Sequence, residues 1–350
     1  MRVAFFTYPS AFQNPGGGEV QLEKTREYLL KLGVSVDLFD PWRSKLADYD
    51  LLHVFSSVRD CLGLAEVAKA RGVPVVTSPV LWSDARRAFF TDGGPREKLD
   101  LILRHGMKVV WPSFPSARRK LLLLSDLLFP NSEMEKEQIR RLFAIPPSKI
   151  RVVPNGVDPG FAEGADPAVF RREIGADRFV LSVGRIEPRK NQLNLVRAAR
   201  GLASKAPLVL IGDPVTGYED YYARCRKEGE GFVRFVPAMP HGDKRLKSAY
   251  AACSVFALQG WFETPGLAAL EAALCGAPLV VTSGGSTREY FGDAADYLDP
   301  ADPADIRRRL DAALAAPSAR GARERVRERF TWDRVAQATL SFYEEALARK

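Results

Sequence analysis

Residues 254–282, SVFALQGWFETPGLAALEAALCGAPLVVT, contain the pattern that decides the fold. The stretch opens with an apolar strand at 254–258 and closes with a second apolar strand at 278–282. Between them, a loop with Pro265 and Gly266 leads into an Ala- and Leu-rich helix over 266–275. A strand, a helix and another strand in so short a stretch predict a β-α-β unit, and such units build parallel sheets.

The same alternation extends over the rest of the second half of the chain. The predicted strands there are 179–183, 208–211 and 233–236, and the predicted helices are 191–202, 218–228, 243–252 and the Ala- and Arg-rich segment 303–329. Residues 159–177, rich in Pro, Gly, Ala and acids, are interpreted as a connector. A terminal amphipathic helix is predicted within 330–350.

The first half repeats this arrangement. Its predicted strands are 3–7, 34–39, 51–55, 73–77, 126–130 and 150–153, and a glycine loop at 15–18 precedes the first helix, 19–32. We therefore predict an α/β protein with two Rossmann-like domains, 1–158 and 178–329. Ligands of parallel sheets bind beyond the carboxyl ends of the strands, so the expected site is a cleft between the domains.

Composition narrows the class of protein. The 350 residues are 46% hydrophobic and 27% charged, which indicates folded domains rather than disorder. The four cysteines have no C-x-x-C spacing, which argues against zinc sites and a disulfide framework. A net charge of +8 favours anionic partners, although an Arg-rich solvated surface explains it equally well. The sequence has no basic stretch interleaved with aromatic residues of the kind that binds single-stranded nucleic acid. Without a signal-peptide pattern or a membrane-spanning run, a cytoplasmic protein is expected.

Two carboxylates, Glu263 and Glu271, stand eight residues apart across the loop–helix junction. The free N–H groups at a helix start suit a phosphate, and a carboxylate accepts hydrogen bonds from both hydroxyls of a vicinal diol. A surface helix with two solvated acids is the plainer alternative.

This stretch resembles the E-x7-E motif of retaining glycosyltransferases of family 4, which have the two-domain GT-B fold. The resemblance implies that Glu263 contacts hydroxyls of the donor sugar and that Glu271 binds the ribose of the nucleotide. It also implies that Gly266 and Leu267 offer backbone amides to the donor. The family often has Gly-Phe where Thr264-Pro265 stand, and proline has no N–H to donate.

A cationic loop, VGRIEPRKN at 183–191, directly follows the first strand of the second half. Arg185 and Lys190 are five residues apart there and can balance the charge of a diphosphate. The loop is similar to the G-R-x-x-x-x-K pattern of the family. The resemblance implies that Gly184, Arg185 and Lys190 bind the donor diphosphate, and that Arg185, Lys190 and Glu263 form the catalytic set.

Further similarities cover most of the chain. They imply that Gly17 and Gly18 close over the donor phosphates, that Met239 lies where the nucleotide base meets backbone atoms, and that the terminal helix packs on the N-terminal domain.

Many members carry a histidine after the strand equivalent to 73–77, where this chain has Ser-Pro-Val-Leu-Trp. His53, at the end of a neighbouring strand, is a candidate contact for acceptor or donor sugar, with a structural role as the alternative; His105 and His241 are interpreted as surface residues.

The resemblance thus implies a retaining, metal-independent transfer from a UDP- or GDP-linked sugar to a saccharide or glycolipid acceptor. Because members of the family often act in cell-envelope synthesis, the resemblance implies that role here. It implies no cofactor beyond the nucleotide sugar. A nucleotide-sugar epimerase of the same fold, a non-catalytic nucleotide-sugar-binding module and a dehydrogenase remain as alternatives. Two basic segments could contact an anionic membrane: Arg86-Arg87, and Arg118-Arg119-Lys120, which leads into four leucines. For the second segment, a helix that buries its leucines in the core is the alternative.

Overall fold

The computed structural model describes residues 1–13, 15–83, 95–317 and 320–349. The chain forms two compact units. The first takes the described residues up to Gly156 together with those from Trp332 onward, and the second takes Val157–Thr331. Each unit is built on one parallel sheet.

Five short parallel strands form the sheet of the first unit, in the order β2-β1-β3-β4-β5. They are β1 Arg2–Phe6, β2 Ser35–Leu38, β3 Leu51–Phe55, β4 Val75–Ser78 and β5 Leu127–Leu128. The central strands are near-continuous apolar runs, as expected for strands covered on both faces. The predicted strand at 150–153 is wrong, because Ile150 makes an isolated bridge to Leu128 instead.

In the described part of the chain before Val157, the helices are α1 Gly17–Lys31, α2 Leu62–Ala70, α3 Pro95–Val110, α4 Ala117–Leu124 and α5 Glu133–Phe143. Gly33 and Gly72 follow α1 and α2 with φ of 80° and 72°. This left-handed conformation suits glycine and ends each helix, so that the chain returns directly to the next strand.

The basic segment 118–120, considered from sequence as a membrane contact, lies in the first turns of α4. Leu121-Leu122 of the same helix are buried in the core, so the core alternative is correct. Arg118 and Arg119 donate hydrogen bonds to backbone carbonyls within the first unit. The other basic segment, Arg86-Arg87, lies outside the described residues.

Glu135 at the start of α5 is a buried carboxylate. Its Oε1 accepts a hydrogen bond from the backbone N–H of Leu81 at 2.5 Å, and its Oε2 accepts one from Asn131 at 2.7 Å. Burial raises the pKa of this carboxyl to about 7, although both N–H donors act in the opposite direction. Glu135 thus holds its proton in the folded protein at pH values where the unfolded chain has lost it.

We expect the free energy of unfolding to fall as the pH rises from 4.5, the ordinary pKa of the group, to about 7. In that window the folded state binds the extra proton, and each unit of pKa difference corresponds to about 1.4 kcal/mol. The Glu135→Gln variant has no titrating carboxyl at this position. The comparison therefore uses only how the stability difference changes with pH, and not the absolute stability of the variant. Urea unfolding of both proteins across the window should show wild type losing stability relative to the variant, with a flat difference above it. A difference that is the same at every pH would contradict the assignment.

Six parallel strands form the sheet of the second unit, in the order β11-β10-β9-β6-β7-β8. They are β6 Val180–Val183, β7 Leu208–Ile211, β8 Val233–Val236, β9 Val255–Leu258, β10 Leu279–Thr282 and β11 Asp296–Leu298. The helices are α6 Pro167–Ile174, α7 Gln192–Ala199, α8 Glu219–Glu228, α9 Lys244–Ala252, α10 Leu267–Leu274, α11 Thr287–Phe291, α12 Pro303–Ala315 and α13 Ala322–Arg329. The stretch quoted first therefore forms β9, α10 and β10, as predicted.

The segment 159–177, expected to be a connector, contains α6 and belongs to the second unit. Its ends carry ordinary helix signals: the Asp166 side chain accepts a hydrogen bond from the N–H of Ala168, Pro167 occupies the first turn, and Gly175 has a φ of 63°. Phe170 is fully buried beside Phe179, with 5.7 Å between the ring centroids. The acidic and Pro/Gly-rich composition thus marked helix ends and not a linker.

The last helix, α14 Trp332–Ala348, returns to the first unit, where it packs on α1 and β4. The sequence analysis expected the terminal helix to pack on the N-terminal domain. The second unit begins and ends at one place, because Val157 pairs with Thr331 in a parallel bridge and its N–H donates to the carbonyl of Phe330 at 3.0 Å.

Candidate functional site

The loop after β9 is fixed by the loop after β10. The N–H of Glu263 donates to the carbonyl of Gly284 at 3.1 Å, and the carbonyl of Glu263 accepts from the N–H of Ser286 at 2.9 Å. Gly285 has a φ of 96°, and a Cβ there would lie 2.1 Å from the Glu263 carbonyl oxygen. The sequence analysis did not single out this Ser-Gly-Gly-Ser loop, although two glycines directly after a strand were a usable signal.

Lys190 and Glu263 form an ion pair, with 2.7 Å between Nζ and Oε1. Glu263 is 4% exposed, and a Cβ at Gly260 would lie 2.6 Å from its Oε1, so glycine leaves room for the carboxylate. Burial lowers the pKa of the Lys190 ammonium, while Glu263 partly offsets this effect. Two residues that the sequence assigned to separate ligand groups thus share one contact.

Arg185 lies on the same loop as Lys190, after β6, and is more exposed. Its guanidinium is 3.4 Å from Oε1 of Glu187, which is closer to Arg189 at 2.9 Å. Gly184 precedes it with a φ of 150°. The loop therefore presents several cations around one carboxylate, an arrangement that suits a polyanion.

Glu271 lies in the second turn of α10 and is held from two sides. The hydroxyl of Tyr250 donates to Oε2 at 2.7 Å, and Nδ1 of His241 lies 3.1 Å from Oε1. Burial, together with the neighbouring Glu271, raises the pKa of the Tyr250 phenol well above its ordinary value, so the phenol remains a donor. The His241 ring also packs on Phe161, with 4.8 Å between the centroids.

His241 is a residue whose contact the sequence analysis missed. Its side chain is partly exposed, as expected of a surface residue, yet it also reaches Glu271. Its position two residues after Met239, in the loop expected near the nucleotide base, was the available signal.

The arrangement leaves Glu271 able to bind a diol. A carboxylate has about four acceptor positions, and the contacts from Tyr250 and His241 account for two of them. Gly266, with a φ of 85°, precedes Leu267 at the start of the same helix. The N–H groups of such a first turn attract anions, so one helix carries both this carboxylate and an end that favours negative charge.

In the first unit, Gly17 and Gly18 form the first turn of α1 and not the predicted loop. Oε2 of Glu19 accepts from the N–H of Gly16 at 2.7 Å, which caps the helix. A Cβ at Gly17 would meet no atom within 4 Å, so there is open space at this position.

The sugar contact predicted for His53 is wrong in this structure. His53 is 1% exposed, and its ring nitrogens lie 2.5 Å from the Tyr343 hydroxyl and 2.9 Å from the Ser78 hydroxyl. Burial lowers the pKa of the imidazole to about 3. The residue is a neutral core histidine that links β3, β4 and α14.

No group of three His, Cys, Asp or Glu side chains that could hold a metal ion occurs within 1–13, 15–83, 95–317 and 320–349. Over the same described ranges, no helix has both the length and the apolar character needed to cross a bilayer.

Both halves of the chain are similar to known protein families. The model of the glycosyl transferases group 1 family matches residues 169–330, and that of Glycosyltransferase Family 4 matches residues 41–161. The D-inositol 3-phosphate glycosyltransferase of Acidothermus cellulolyticus is 31% identical over 324 residues, which cover 86% of this chain and 68% of the relative. The chain belongs to the group 1, family 4 glycosyltransferases. The Saccharomonospora viridis protein of the same name is 30% identical over 323 residues, covering 86% of this glycosyltransferase and 71% of the relative.

Solved structures show the fold of this glycosyltransferase. Sucrose-phosphate synthase from Thermosynechococcus elongatus aligns over 100% of both chains with a TM-score of 0.78 and 17% identity. Anabaena HepE in complex with UDP-glucose aligns over 99% of this chain and 100% of its own, with a TM-score of 0.76 and 18% identity. The predicted GT-B class, with two Rossmann-like units, is confirmed.

Proposed function

We propose that this glycosyltransferase moves a sugar from a UDP- or GDP-linked donor to a saccharide or glycolipid acceptor, with retention of anomeric configuration and without a metal ion. The observation that carries the proposal is the ion pair between Lys190, on the cationic loop after β6, and the buried carboxylate of Glu263. A cation held against a carboxylate at a strand end can bind a departing diphosphate and a sugar hydroxyl side by side.

Each part of the donor has a matching group in the second unit. The open acceptor positions of Glu271 suit the ribose diol, and the first turn of α10 with Gly266 and Leu267 suits a phosphate or sugar oxygen. Arg185 and Lys190 suit the diphosphate, whose charge grows as the glycosidic bond breaks. Glu263 accepts from a sugar hydroxyl, and backbone atoms near Met239 border the base.

The same assignment supports retention and independence of metal. Arg185 and Lys190 supply the positive charge that a divalent cation would otherwise bring to the leaving group. The departing diphosphate can take the proton of the acceptor hydroxyl on the face it leaves, which forms the new bond with retained configuration. Relatives named D-inositol 3-phosphate glycosyltransferases make a phosphorylated cyclitol a reasonable first acceptor.

The test combines donor binding with turnover. Thermal unfolding is measured with UDP, GDP and their sugars, because a ligand of the folded state raises stability by mass action. With the stabilising donor, nucleoside diphosphate should be released when an acceptor such as D-inositol 3-phosphate or a glycolipid is present, with EDTA making no difference. NMR of the product should show the donor's anomeric configuration.

Other outcomes would overturn the proposal in distinct ways. Isomerisation of the donor sugar without acceptor would identify an epimerase. Donor binding without turnover across the acceptor panel would identify a binding module. Stabilisation by NAD alone would indicate a dehydrogenase.

A further inference from the structure

Gln259 is a buried polar side chain directly after β9. It is 3% exposed, and both ends of its amide are hydrogen-bonded. The Nε2 amino group donates to the backbone carbonyl of Lys190 at 2.9 Å, and Oε1 accepts from the hydroxyl of Ser182 at 3.0 Å. The amide therefore joins the end of β9 to β6 and to the cationic loop that follows β6.

The orientation of this amide is fixed by its partners. A backbone carbonyl can only accept a hydrogen bond, so the group beside Lys190 has to be the amino group of Gln259 and not its oxygen. The oxygen then faces Ser182, a buried residue of β6 whose hydroxyl donates to it. One orientation of the side chain satisfies both partners.

The cationic loop is also tied to the end of β9 on either side of Lys190. The backbone N–H of Trp261 donates to the carbonyl of Arg189 at 3.1 Å. Asn191 has a φ of 58°, and its Nδ2 donates to the carbonyl of Gln259 at 3.1 Å. The hydrogen bond from the Gln259 amide to Lys190 is thus made at the centre of a held segment.

Pairing of the strands does not account for a polar side chain at position 259. The strands β6 and β9 already pair, with Val180 opposite Val255 and Leu181 opposite Phe256. An apolar side chain would pack there without the cost of removing an amide from water. A buried polar group that is hydrogen-bonded instead selects one arrangement of the groups around it. The arrangement selected here is that of the loop at Lys190.

The position of the Lys190 backbone decides what its ammonium can reach. Nζ lies 2.7 Å from Oε1 of Glu263, whose own backbone is held by the loop after β10. With Glu263 fixed, a shift of the backbone at Lys190 changes both this contact and the distance from the ammonium to a bound diphosphate. Charge-stabilising groups have to be held to within about 0.5 Å, by neighbours that are themselves fixed by hydrogen bonds.

We propose that Gln259 is a positioning residue for sugar transfer, which acts by holding the backbone of Lys190. Its amide contacts Ser182 and the Lys190 carbonyl, so its effect on the reaction passes through Lys190. Ser182 supports it by fixing the orientation of the amide. The inference rests on the role proposed above for Lys190, and it adds a residue that the sequence analysis did not single out.

The experiment is a double-mutant cycle between positions 259 and 190. Gln259→Met keeps the length of the side chain without its amide, and it should lower the kcat of nucleoside diphosphate release about tenfold, because the ammonium is then displaced. In the Lys190→Met background the same change should cost less than about twofold, because the ammonium that Gln259 positions is already absent. Urea unfolding shows that each variant is folded under the assay conditions.

Gln192→Met is the matched control for this cycle. Gln192 is equally buried, and its Nε2 donates to the carbonyl of Arg185 at 2.8 Å on the same loop. Its replacement should lower kcat by a similar factor in both backgrounds, because Arg185 is present in each.

Ser182→Ala is a milder second variant, which decides the question if Gln259→Met does not fold. It removes the partner of Oε1 and keeps the amide. It should lower kcat about threefold, as expected for loss of one neutral hydrogen bond. In the Lys190→Met background this loss should also disappear.

Two results would overturn the proposal. One is a loss from Gln259→Met that is as large in the Lys190→Met background as in wild type, which would make Gln259 a residue of the sheet alone. The other is an unchanged kcat in folded Gln259→Met. If wild type binds a nucleoside diphosphate but transfers no sugar, only the proposed function fails. The same cycle is then run on the dissociation constant of that diphosphate, where the loss should again disappear with Lys190→Met.

Discussion

Lys190→Met is expected to lower the kcat of sugar transfer by about 10³-fold, at the upper end of what removal of one charge-stabilising donor costs. Methionine keeps the length of the stem but brings no charge to the departing diphosphate. The measurement is nucleoside diphosphate release at saturating donor and acceptor. Arg189→Ala is the matched control: Arg189 is the next cation on the loop, but it pairs with Glu187 and not with Glu263.

The variant also leaves a buried carboxylate without its cation, and breaking such a pair typically costs about 3–5 kcal/mol of stability. Lys190→Met/Glu263→Gln removes that unpaired charge and should recover much of the thermal stability without recovering kcat. Recovery of kcat together with stability would show that Lys190 acts only by holding the fold of the loop. An unchanged kcat in the single variant would remove Lys190 from the chemistry altogether.

Glu271→Ala is expected to weaken nucleoside diphosphate binding by about 10²-fold, because each hydrogen bond to a charged group contributes roughly 1.5–3 kcal/mol. The assignment of Glu271 to the ribose also predicts a selectivity between nucleotides. Wild type should prefer the ribonucleotide over its 2′-deoxy form, and the variant should bind both equally. Isothermal titration with UDP or GDP, whichever stabilises wild type, and with the matching 2′-deoxynucleotide measures both effects.

His241→Ala tests how Glu271 is positioned. With Tyr250 still donating to Oε2, the carboxylate keeps one of its two supports. The variant should therefore lose part of the affinity and part of the preference for ribose. Lys244→Ala, at an exposed position near the same loop, should leave both unchanged. A full ribose preference in Glu271→Ala would assign the diol to another residue.

The strands and helices of this fold could be predicted because the sequence signals for them are local. Apolar strands, glycines at helix ends and helical spacing all act within a few residues, and they placed β9, α10 and β10 correctly. The pairing of Lys190 with Glu263 could not be predicted in this way. It depends on β9 lying beside β6, which is a matter of strand order and not of sequence neighbourhood.

The direction in which a side chain points also could not be predicted from the sequence. The apolar residues of α3 recur at helical spacing, but periodicity alone does not tell whether they meet the core or, as most of them do, the solvent. His53 shows the same limit, since the sequence around a histidine in a strand is the same whether its ring contacts a ligand or, as here, Tyr343 and Ser78. His241 is the reverse case, because its contact with Glu271 joins a loop and a helix that lie apart along the chain.

The bridge between Val157 and Thr331 has a consequence for how the second unit can be exchanged and where the chain can be truncated. Among the described residues, the second unit runs from Val157 to Thr331, and these first and last residues are already neighbours, as in an inserted domain. The first unit is completed by α14, which the chain reaches after the whole of the second. A recombination event could therefore swap the second unit through one continuous segment. A truncation before Trp332 would instead deprive the first unit of Tyr343 and leave the buried imidazole of His53 without one of its partners.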